Sequence, residues 1–62
     1  MEKWTVDACF LTNFVFVIES VTTDAWYEVQ DFIERHLEEG NPCRLTGNET
    51  GDVNWAYPDA IE

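Results

Sequence analysis

The sequence predicts a small α+β domain of ββαββ order, with an antiparallel-rich sheet carrying one amphipathic helix on one face. Three observations lead there: strict alternation of apolar residues near the start, a helical apolar arc through the middle, and turn formers that cut the remainder into short segments. At 62 residues the chain is one domain at most, and so short a chain buries only about 60% of the surface its unfolded form exposes. It is read as a single acidic domain over 1–62, with residues 58–62 a loosely held tail.

Apolar residues first fall on alternate positions at Trp4, Val6, Ala8 and Phe10, with Thr5, Asp7 and Cys9 between them. That period of two is a strand with one inward face. After the connection Leu11-Thr12-Asn13, the run Phe14, Val15, Phe16, Val17, Ile18, ending at Glu19, is aromatic and β-branched, as strands prefer. The two segments read as an antiparallel hairpin.

Val21-Thr22-Thr23-Asp24 leads into a helix. A threonine hydroxyl there can accept from the first free helix amides, and Asp24 faces the positive end of the dipole. At 100° per residue, Ala25, Trp26, Val29, Phe32, Ile33, His36 and Leu37 share one arc, and Asp24, Glu28, Asp31, Arg35 and Glu38 lie opposite. Gly40 suits the left-handed residue that ends a helix, and Pro42 cannot continue one. Cys43 to Thr46 then reads as a short strand, 47–51 as a turn, and Asp52 to Tyr57 as a strand alternating Val53, Trp55 and Tyr57, stopped by Pro58. The expected core is Trp4, Val6, Phe10, Trp26, Val29, Ile33, Leu37, Val53 and Trp55. Strand order does not follow from the sequence.

Thirteen Asp and Glu stand against Lys3, Arg35 and Arg44, a formal net charge of −10. Such a surface repels phosphate backbones and anionic lipid, so direct nucleic-acid and membrane binding are not expected, and a charged partner is a protein with a basic surface. Added salt should stabilise the fold by screening self-repulsion. With 45% hydrophobic residues and three Trp, four Phe and two Tyr, the chain has the apolar surface to fold rather than remain an acidic coil. Met1-Glu2-Lys3-Trp4 does not open a signal peptide and no stretch is long enough to span a bilayer, so a cytoplasmic location is expected.

Two features exceed what folding needs. If Phe14, Phe16 and Ile18 face the helix, then Val15 and Val17 face away with Cys9, on a sheet side that one helix leaves open and that should be polar. Strand twist or the chain tail can cover these residues; otherwise they form the face of a homodimer or of a partner contact. The second feature is acidity set against helix stability. Glu38 and Glu39 meet the negative end of the dipole, and Asp24, Glu28, Asp31 and Glu38 line one flank with Arg35 alone among them. That flank is either a solvated face kept for solubility or a strip that docks on a basic surface.

In length and charge alone, the chain is similar to the acidic inhibitors with which bacteriophages and mobile elements occupy basic sites on host enzymes. That similarity implies an inhibitor or regulator, or a nucleic-acid mimic. The competing expectation is a structural homodimer paired through Cys9, Val15 and Val17, its acidity serving solubility only.

Catalysis and cofactors are not expected. His36, the single histidine, sits in the apolar arc, where an imidazole at the core edge bonds a carbonyl or carboxylate. Cys9 and Cys43 lack paired zinc-site spacing and show no third orienting group or positive surroundings, and read as small apolar residues. Asn48, Thr50, Asp52 and Asn54 alternate faintly like a calcium loop, but Val53 stands where that loop needs glycine and no Glu closes it.

Overall fold

The computed structural model describes residues 2–58; the expected tail beyond Pro58 lies outside them. The order is β1 (Trp4–Leu11), β2 (Val15–Thr23), α1 (Trp26–Glu38), β3 (Cys43–Gly47) and β4 (Val53–Ala56). All four strands join one antiparallel sheet in the order β2-β1-β3-β4, and α1 packs on one face of it. Among the described residues, no helix is long and apolar enough to cross a membrane.

β1 pairs with β2 along its whole length, from Trp4 opposite Thr23 to Leu11 opposite Val15. Its pairing with β3 covers only Trp4 to Ala8. The sheet therefore narrows: past Ala8 the hairpin continues as a two-stranded ribbon. At that point Ala8 faces Glu19 while Cys9 faces Val17, so Ile18 is the extra residue of a β-bulge, a feature that bends and twists its strand.

β2 runs further than the sequence predicts. Val21–Thr23 stay paired with β1, because β-branched residues suit a pleated surface, and the hydroxyls of Thr5 and Thr22 meet across the strands at 3.2 Å. The turn into α1 is then built from Thr23, whose hydroxyl accepts the Ala25 amide at 3.0 Å and donates to the Glu28 carboxylate. Asp24 accepts the backbone amide of Lys3 at 2.7 Å. At the other end Gly40 donates to the Leu37 carbonyl at 3.0 Å and Asn41 to the His36 carbonyl at 2.9 Å. With Gly40 at φ 88° this is a Schellman stop, in a conformation that penalises a side chain.

The core lies between α1 and the sheet. Val6, Ala8, Val29, Phe32 and Cys43 are buried together, with Trp4, Val21, Ile33, Leu37, Leu45 and Ala56 around them. Four expected core residues lie elsewhere. Val53 and Trp55 pair with Thr46 and Arg44, and cross-strand partners share a face, so both look away from the helix; Val53 is exposed and Trp55 half-buried. Trp26 packs edge-on against Trp4 at 5.0 Å but stays exposed at the helix start. Phe10 is 56% exposed because it lies beyond the reach of α1. The 13 residues of α1 span about 20 Å, and the helix begins near Trp4 and ends where His36 meets Glu19, level with Ala8.

Candidate interaction surfaces

The acidic flank of α1 divides into two parts. Asp24 and Glu28, both expected to serve a partner, are tied to the Lys3 amide and the Thr23 hydroxyl that organise the helix start. Asp31, Glu34 and Glu38 follow on the outer side, exposed, at spacings of three and four residues that place them on one stripe about 10 Å long. Glu39 lies 3.8 Å from the His36 imidazole. Among the described residues the ion pairs involve Asp7, Glu19 and Glu39, and none reaches Asp31, Glu34 or Glu38. Beside the stripe, Gln30, Ile33, Glu34, Leu37, Glu38 and Tyr57 line an open groove of about 710 Å³. Its floor is aliphatic and aromatic, and its rim is two carboxylates.

The sheet side away from the helix is polar in one half and apolar in the other. Within the four-stranded part, the expectation of an apolar open face fails. Asp7 accepts from Ser20 Oγ at 2.5 Å and from Arg44 Nε at 3.1 Å, with Arg44 Nη2 at 3.0 Å. Arg44 lies over the Trp55 ring, 5.7 Å from its centroid, and Trp55 stacks on Tyr57 at 6.0 Å. Thr5, meanwhile, donates to Asn48 at 3.1 Å. A polar network runs across this face beside Trp55 and the exposed Val53.

Past the bulge the polarity ends. Phe10, Leu11, Phe14, Val15, Phe16, Val17 and Ile18 are all exposed, Phe14 the most at 68%. Val15 and Val17 stand where the sequence places them, each about half exposed. Cys9 does not join them as a contact. It is opposite Val17 but fully buried, its amide bonded to the Pro42 carbonyl at 2.8 Å and its thiol directed at the Asp7 carbonyl. Leu11, opposite Val15, shares their face. The reverse side is aromatic: Phe16 pairs with Phe10 across the strands and meets Phe14 edge-on at 6.0 Å. The sequence places Phe10, Phe14, Phe16 and Ile18 on the helix side; alternation along β1 keeps Phe10 and its partner Phe16 on that side, but beyond the end of α1, where they stay exposed. The available signal was the segment from Ala8 to Ile18, which holds no charged residue in a chain of net charge −10.

The residues with chemistry to offer are occupied in structure. His36 is buried, its Nε2 2.7 Å from Glu19 and its Nδ1 3.3 Å from the Asn41 amide nitrogen. Cys9 and Cys43 are free, buried thiols on neighbouring strands. Burial raises both pKa values, and the charge of Cys9 adds to the rise at Cys43, whereas Arg44 works against it at Cys9. No group of three or more His, Cys, Asp or Glu is arranged to hold a metal among the described residues. Comparison of the chain with protein families, curated proteins and solved structures finds no match.

Proposed function

We propose that this chain is a non-enzymatic interaction module that docks its acidic helix flank on a basic surface of a partner protein, as an inhibitor or regulator. One observation carries the reading: Asp31, Glu34 and Glu38 stand exposed on the helix and, among the described residues, none is in an ion pair. Arg35 lies beside them but is turned over Phe32, Lys3 lies over Trp4, and Arg44 is held on Asp7. The helix fixes the spacing of the carboxylates, and complementary charge speeds encounter and disfavours wrong partners. The groove beside them suits a lysine or arginine side chain, whose aliphatic stem lies on Ile33, Leu37 and Tyr57 while its head reaches Glu34 or Glu38. A partner whose own ligand is a nucleic acid offers such a surface, with the carboxylate stripe standing in for phosphates. On this reading the chain works in the cytoplasm, where free thiols persist.

Capture on the immobilised chain tests it. Proteins retained at low salt should elute with added salt and with duplex DNA. The triple variant Asp31→Lys, Glu34→Lys, Glu38→Lys should retain none of them, with its circular dichroism unchanged. Equal retention by that variant removes the flank from any role in recognition.

A further inference from the structure

The apolar ribbon is independent of the acidic flank and calls for a different partner. We infer that it is a self-association surface, on which a second copy of this chain pairs antiparallel along the free edge of β2 about a two-fold axis within Val15–Ile18.

Four observations lead to a second copy. β2 is an edge strand, nine residues long, and its stretch Val15–Ile18 carries no charge or proline to guard the edge, the bulge at Ile18 being its one guarding feature. Both sides of the ribbon are apolar there, Phe10 and Phe16 on one and Leu11, Val15 and Val17 on the other. A neighbour stacked on one face covers half of that surface, whereas a strand laid along the edge sets its own Phe14 and Phe16 beside one set of side chains and its Val15 and Val17 beside the other.

Edge pairing buries the β2 backbone edge and the flanks of its side chains, less than the roughly 800 Å² per partner of a standard interface, so the expected dimer is a weak one. A two-stranded ribbon is marginal alone in water, and pairing makes it part of a continuous eight-stranded sheet.

Charge then favours this place and this symmetry. Copies of net charge −10 repel wherever their acidic surfaces meet, but Ala8 to Ile18 is uncharged, and antiparallel pairing sends the two acidic bodies to opposite ends. Glu19, the nearest carboxylate along β2, is turned to the helix side and held by His36.

Sedimentation equilibrium over a concentration series, with Phe16→Lys and Val17→Lys as variants, decides the matter. The unmodified chain should be a monomer–dimer system that tightens with added salt, opposite to the salt response of the acidic flank. Each lysine should raise the dimer dissociation constant more than about tenfold, since edge pairing crowds both sides and buries an unpaired ammonium. Loss of the dimer in Val17→Lys alone means stacking through the open face and overturns the edge arrangement. If either variant fails to fold, hydrogen exchange on the unmodified chain replaces it, and β2 amides must gain protection as concentration rises. A chain that stays monomeric, assembles without limit, or floats with phosphatidylcholine vesicles instead of dimerising overturns the proposal. None of these outcomes bears on Asp31, Glu34 or Glu38.

Discussion

Within one hairpin, the half under α1 and the half beyond it use the same strand pairing to different ends. Under the helix, Val6 and Ala8 have no exposure and pack with Val29, Phe32 and Cys43. On the reverse side of the same residues Asp7 gathers Ser20 and Arg44. Beyond the Ile18 bulge, Phe10, Phe14 and Phe16 are more than half exposed and no charged group accompanies them. The covered half therefore meets the needs of one folded chain, apolar inward and polar outward. The uncovered half has the composition of an interior without the interior, which the proposed second copy would complete.

The largest expected effect tests whether the two halves differ in what they stabilise. Phe32→Ala should cost about 3–5 kcal/mol, enough to unfold much of so small a domain, and should show as a collapsed urea midpoint. Phe14→Ala should change the stability of the monomer by less than about 0.5 kcal/mol, as surface substitutions do, while weakening self-association. A large loss from Phe14→Ala at concentrations where the chain is monomeric would mean that the ribbon packs on the body, and the contrast between the halves would disappear.

A middle-sized effect probes the polar side of the covered half. Asp7→Ala removes the acceptor shared by Ser20 and Arg44 and should cost about 1–3 kcal/mol. Breaking a fully buried pair costs roughly 3–5 kcal/mol, but Arg44 retains 33% of its side-chain exposure and can turn to water over Trp55. Urea titration of Asp7→Ala beside Val17→Ala sharpens the comparison. The first should shift the midpoint and leave dimerisation intact, and the second should do the reverse.

Local chemistry made the elements legible before the structure. The alternation from Trp4 to Phe10, the apolar arc of α1 and the Gly40 stop depend on neighbours a few residues apart, and the strand, the helix and its stop appear in the fold, with Phe10 and Trp26 exposed. What failed depended on distances between elements. Phe10, Val53 and Trp55 carry the side chains of a core, yet their places were decided by how far α1 reaches and by which face β4 turns outward, and neither is written in a local pattern. The same holds at the surfaces. Val15 and Val17 were readable from alternation and Cys9 was not, because its cover comes from Pro42 and Asp7. Asp24 and Glu28 looked equivalent to Asp31 and Glu38 until Lys3 and Thr23 claimed them.

The smallest expected effect bears on why the acidic flank exists. Glu38 ends α1, where the negative end of the helix dipole disfavours a carboxylate by about 0.3–1 kcal/mol and favours an ammonium by a similar amount. Glu38→Lys also lessens the self-repulsion of a chain with net charge −10. Its urea midpoint should therefore rise slightly, most clearly at low salt, even as a basic partner is captured less well. Opposite signs in the two measurements would place the carboxylate where recognition gains and folding loses. A lower midpoint would instead make Glu38 a stabilising residue, and acidity at this end of the helix would no longer need a partner to explain it.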